Sequence, residues 1–105
     1  MDITQLEKMI TNGRDSAMLR LTLARLLVDE NRRPEALEHL KVAVELDQGY
    51  TAAWKELGRQ QLELGQPEAA SQAWKTGLAV AEENGDKQAA REMSVFLRRL
   101  EKQDS

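Results

Sequence analysis

His39 is the only histidine, and the chain has no cysteine. A general base or a metal ligand needs partners within reach, and no nearby spacing supplies them to His39, which sits beside Glu38 on an exposed-looking helical position. Without cysteine there is no disulfide, thiolate zinc site or cysteine nucleophile. The six glycines fall at helix ends or packing positions, so none builds a phosphate-cradling loop. The carboxylates are scattered at the spacing of solvated helix faces, not gathered for acid-base work. The expectation is a protein that is not an enzyme and uses no cofactor or metal. Met9, Met18 and Met93 read as core or groove lining. Arg25 with Asp29, and Arg59 with Glu63, are spaced i, i+4, as in pairs that stabilise an exposed helix by about 0.2–0.5 kcal/mol without any ligand.

The 105 residues, 41% hydrophobic and 4% aromatic, suit one domain with a modest core packed by Leu, Ala, Val and Met. Net charge is −3, divided as −2 over residues 1–50 and −1 over 51–105. An even, slightly acidic balance argues against general nucleic-acid or membrane-surface binding. No apolar run has signal-peptide or membrane-spanning length, which leads to the expectation of a soluble cytoplasmic protein.

Positioning of any site falls to helices. Ile3, Leu6, Met9 and Ile10 mark a short helix over 3–12, opened by Asp2 and Gln5 as a capping box and closed by Asn12-Gly13. Asp15 or Ser16 can cap a helix of about 16–30 that stops at Asn31, and Pro34 begins a helix to Leu46. Thr51 is expected to cap the helix holding Trp54, Leu57, Gly58 and Leu62. Its partner runs from Pro67 to about Glu83, and Asp86 opens a last helix to about Lys102, with residues 103–105 expected to fray. Sliding the sequence by 34 puts Leu23 over Leu57, Ala24 over Gly58, Asn31 over Gly65, Ala36 over Ala70 and Leu40 over Trp74. The last helix fits better at 36, with Ala89 over Ala53 and Met93 over Leu57. Small residues at Ala24 and Gly58, facing Ala36 and Ala70, would let paired helices approach closely.

This pattern resembles the tetratricopeptide repeat family, carried by Trp54, Leu57, Gly58, Gly65, Ala70 and Trp74 in one unit and Leu23, Ala24, Ala36, Ala43 and Leu46-Asp47 in the other. Arg20, Leu27, Gln48, Gln61, Gly77 and Glu82 depart from it. The resemblance implies an all-α fold, a right-handed superhelix of antiparallel helix hairpins with about six helices. Residues 3–12 would be a half-repeat, 17–50 and 51–84 the two full repeats, and 86–102 a capping helix. Trp54 and Trp74 would be core aromatics.

In that family the second, fifth, ninth, twelfth and thirteenth positions of each first helix line a concave groove. Here these are Met18, Leu21, Arg25, Val28 and Asp29, then Ala52, Lys55, Arg59, Leu62 and Glu63. The shift of 36 adds Gln88, Arg91, Val95, Arg98 and Arg99. The implied function is protein–protein interaction: an adaptor whose basic track, Arg25, Lys55, Arg59, Arg91 and Arg98, meets an acidic protein or peptide, with apolar contacts at Met18, Leu21, Val28 and Leu62. On this reading Lys55→Glu combined with Arg59→Glu abolishes capture and leaves melting nearly unchanged. A solvated face with no ligand, or a structural homo-oligomer, are the alternatives. The family's carboxylate clamp for chaperone tails is not expected, because Leu21, Arg25, Glu56, Gln88 and Glu92 occupy its places.

Overall fold

In the computed structural model, which describes residues 1–103, six helices follow one another: α1 Ile3–Thr11, α2 Ala17–Asp29, α3 Arg33–Leu46, α4 Thr51–Glu63, α5 Pro67–Asn84 and α6 Lys87–Gln103. Gln103 is still helical, and the expected fraying of 104 and 105 lies outside the described residues. No strand occurs among the described residues, and no helix is long and apolar enough to cross a membrane.

Side-chain caps start three of the helices. Asp2 and Gln5 each accept a hydrogen bond from the other's backbone N–H at 2.9 Å, which closes the capping box of α1. Ser16 Oγ accepts from the Leu19 amide at 3.1 Å, and Asp86 Oδ1 from the Ala89 amide at 3.1 Å. Thr51 does not cap α4 as expected. Tyr50 is the capping residue and makes no side-chain bond, while Thr51 is already helical and its hydroxyl donates to Asp86 Oδ2 at 3.1 Å. Asp86 thus ties the start of α4 to the start of α6. Asn31 adopts φ 61°, in the place where the next unit has Gly65 at φ 75°, so a left-handed stop ends both α2 and α4.

Each helix packs on its chain neighbours, and α4 also packs on α6. The result is a stack of antiparallel hairpins, 45 × 29 × 18 Å, in which α2, α4 and α6 are the first helices. The short α1 covers α2 with buried Leu6 and partly buried Ile3, Met9 and Ile10. This cover is needed because α2 buries Ala17, Leu19, Leu21, Leu23, Ala24 and Leu27 around more than one side. At the other end α6 buries Ala89, Met93 and Leu100, and the first two are residues that the shift of 36 aligns with buried Ala53 and Leu57.

Close approach explains two glycines. A Cβ on Gly58 would fall on the indole of Trp74, which is 3% exposed and donates from Nε1 to the Lys55 carbonyl at 3.1 Å. The nearest neighbour of Gly58 is therefore the Trp74 indole. A Cβ on Gly77 would stand 2.6 Å from the Met93 sulfur and 2.7 Å from Trp54 Cβ. Trp54 itself is only partly buried, its Nε1 donating to the Gln48 carbonyl at 2.9 Å. Where α2 has Leu26 and Leu27, α4 buries Gln60 and Gln61. Gln60 Oε1 accepts from Arg33 at 2.7 Å, whereas Gln61 Oε1 has no partner among the described residues.

Candidate functional site

The open face of the first helices is organised by contacts between α4 and α6. Lys55 Nζ donates to Glu92 Oε2 at 3.0 Å, and this bond with the nearby positive charge holds the Glu92 carboxyl below its usual range. One turn on, the Arg59 guanidinium stands over the Phe96 ring, 5.6 Å from its centroid. Phe96 in turn meets Trp74, with centroids 5.0 Å apart and planes tilted by 42°. Beside this stack a recess of about 180 Å³ opens between α4 and α6, with Leu62, Trp74, Phe96 and Leu100 as its apolar lining and Arg59, Arg99 and Glu63 among its polar groups.

The residues expected to form a groove separate into groups. Met18 is 68% exposed and lines, with Leu46 and Tyr50, a second recess at the start of α2. Leu21 is 1% exposed and belongs to the core, which corrects its assignment as a groove contact. It holds the same repeat position as Lys55. An apolar side chain there is drawn into the packing, whereas the lysine stays partly solvated to reach Glu92. Val28 and Leu62 are partly buried at the edges of their cores. Arg25, Arg91 and Arg98 are exposed and have no ion pair or hydrogen-bond partner among the described residues.

The i, i+4 pairs suggested by spacing do not form: neither Arg25 with Asp29 nor Arg59 with Glu63 makes a bridge among the described residues. Arg59, its side chain 50% exposed, instead reaches Glu56 only at 3.9 Å. Phe96 as a groove residue was not legible as such, because its apolar type placed it in the helix stripe. The signal was its position, one residue past the ninth place of the repeat, where it meets the ninth residue of the preceding first helix.

His39 is also different from its expected solvent-facing state. Arg20 donates twice to Asp15, at 2.8 and 2.7 Å, and its Nη1 donates to His39 Nδ1 at 2.9 Å. Nδ1 accepts only when unprotonated, so the ring is neutral with its proton on Nε2. Partial burial, and then the Arg20 charge, push its pKa below the usual 6.5. The partner of His39 is thus a cation that is itself engaged with a carboxylate, and the three residues tie α2 to α3. No group of three His, Cys, Asp or Glu suited to a metal ion occurs among the described residues.

The shifted histidine gives a pH prediction. Because the folded ring is harder to protonate than the unfolded one, the unfolded chain gains the proton first as pH falls. The contribution of His39 is intact above about pH 6.5 and is lost as pH falls from there through its folded pKa. The urea midpoint is therefore expected to fall between about pH 7.5 and 5, and to fall less in His39→Gln, which can accept from Arg20 but does not titrate. Asp15, Glu35 and Glu92, whose carboxyls are held low by Arg20, Arg32 and Lys55 respectively, lose their contributions only in a more acidic window, as pH falls below the usual carboxyl range. An unchanged slope in His39→Gln over the upper window would contradict the assignment.

No family model matches the chain. The TPR repeat-containing protein PA0015 of Pseudomonas aeruginosa PAO1 is 46% identical over 102 residues, which cover 97% of each chain. Among solved structures, the solution structure of protein BPP2914 from Bordetella parapertussis is similar with 40% identity and a TM-score of 0.82, over 97% of this chain and 89% of that one. The TPR2B domain of yeast Sti1 in its complex with pHsp70 superposes with a TM-score of 0.86 over 96% of this chain and 81% of that one. At 19% identity this is a likeness of fold alone.

Proposed function

Because this chain belongs to the tetratricopeptide repeat family, a superhelix of α-hairpins that in general recognises other proteins and does no chemistry, we propose that it is a non-catalytic adaptor holding an acidic segment of a partner protein across α2, α4 and α6. The observation that carries this reading is the charge on that face. In a chain of net charge −3, Arg25, Arg91 and Arg98 stand exposed and without a partner among the described residues, on first helices beside Lys55 and Arg59. Cations without internal partners keep their full capacity for a carboxylate from outside. The complex of the Sti1 domain with pHsp70 is a precedent for a partner held by this fold. Residues 17–50 and 51–84 are the two full units of this reading, with 3–12 and 86–102 as half-units. The absence of cysteine and of any membrane-spanning helix among the described residues supports a place in the cytoplasm.

The mutant that tests it follows from the geometry. Lys55→Glu would set a second carboxylate against Glu92, so its effect on capture could not be separated from an effect on folding. Arg25→Glu with Arg98→Glu breaks no hydrogen bond or ion pair among the described residues, and its stability is expected to stay within about 0.5 kcal/mol of the parent. Partners captured by the parent chain from its host extract are expected to be lost by this variant, and their retention would remove the proposal. A second reading is a structural subunit that self-associates through α1 and α6, the first and last helices among the described residues, with α6 of one copy packing on α1 of another. Sedimentation at roughly 50 µM distinguishes the two, since any micromolar self-association is populated there and a monomer rules it out.

A further inference from the structure

Building on the groove reading, we infer that the recess between α4 and α6 is an anchor site for one bulky apolar side chain of the partner segment, with an adjacent carboxylate of that segment held by Arg59 and Arg99. The recess holds about 180 Å³, below the roughly 300–1,000 Å³ of small-molecule sites, which fits it to a single side chain and not to a cofactor. Its apolar walls are Leu62, Trp74, Phe96 and Leu100, and Phe96 is only partly buried, so apolar surface remains to be covered.

The polar groups around it are short of partners. Arg59 makes no hydrogen bond to another described residue: the Phe96 ring lies beneath it, and Glu56 is 3.9 Å away. Arg99 has no partner among the described residues. Two guanidiniums beside an apolar surface form a place where a carboxylate gains charge-assisted hydrogen bonds while the neighbouring side chain excludes water, which strengthens them. Glu63 is the one acid on the lining and is itself unpaired among the described residues. It disfavours a second carboxylate on its own side of the recess. The segment that fits is therefore acidic, with a leucine or aromatic residue next to one of its carboxylates and an uncharged or basic group facing Glu63.

The test uses the whole chain and three blocked synthetic peptides, followed by amide chemical-shift titration. The first peptide is acetyl-Lys-Ser-Leu-Asp-Glu-amide. The second replaces its leucine with alanine, and the third replaces its two acids with asparagine and glutamine. The first peptide is expected to shift the amides of Leu62, Phe96 and Arg99, and either replacement is expected to weaken binding by about tenfold or more. Arg99→Glu, at an exposed residue with no hydrogen bond or ion pair among the described residues, is expected to weaken the first peptide to the same degree with unchanged circular dichroism. Equal binding of all three peptides, no binding of any, or full binding by Arg99→Glu overturns the anchor site. Shifts confined to Met18 and Arg25 and lost in Arg25→Glu would also overturn it while leaving the groove reading in place. Loss of the natural partner in Arg25→Glu with Arg98→Glu tests that broader reading separately.

Discussion

Ending the chain at Asp86, so that α6 is never made, is expected to abolish the cooperative thermal transition. Helix α6 supplies Ala89, Met93 and Leu100 to the cluster that also holds Ala70, Trp74 and Ala81, with Phe96 and Leu97 packed at its edge. Burying each large apolar side chain stabilises by about 1.5–3 kcal/mol, so losing Met93, Leu100 and the partly buried pair removes about 5 kcal/mol or more. A domain of this size has in total only about 5–15 kcal/mol. The loss also leaves Trp74 without Phe96 on one side. Thermal scans by far-ultraviolet circular dichroism, with tryptophan emission moving to longer wavelength, are the measurement. A truncated chain that still melted sharply near the parent temperature would show that α6 is an appendage and not a cap.

Gly58→Ala is expected to destabilise by about 1–3 kcal/mol, lowering the melting temperature by roughly 5–20 °C, although alanine is the better helix former. The new methyl would occupy the space of the Trp74 indole, which is buried and fixed by its bond to the Lys55 carbonyl. The first hairpin shows how the conflict is avoided. There Ala24 and Leu40 stand where Gly58 and Trp74 stand 34 residues later, and both are fully buried. A small residue with an indole, or a methyl with a leucine, fills a similar space. Trp74→Leu alone is expected to cost about 2–4 kcal/mol through the cavity it leaves. Combined with Gly58→Ala it should cost less than the two separately, by roughly 0.5–3 kcal/mol. Strict additivity would mean that the two residues do not share this space. Recovery is expected to be partial, because the indole also meets Phe96, a contact that leucine cannot replace.

Much of this molecule was determined by the amino-acid sequence alone. The helix starts at Asp2, at Asp15 or Ser16 and at Asp86, the left-handed stop at Asn31 and the offsets of 34 and 36 are consequences of local chemistry and periodicity, and these carry the all-α hairpin fold. Local signals suffice there because a cap or a stop involves residues within a few positions of one another. Tertiary structure alone decided the partners across helices. Leu21 went into the core although its repeat position suggested a groove, Thr51 turned to Asp86, His39 accepted a bond from Arg20, and Arg59 settled over Phe96 instead of pairing with Glu63. Residues 19 to 37 positions apart meet in those contacts, and no spacing along one helix encodes them. The packing of α4 against α6 brings the arginine to the ring, and it depends on how bulky Trp74 and Met93 fit the space that Gly58 and Gly77 leave open.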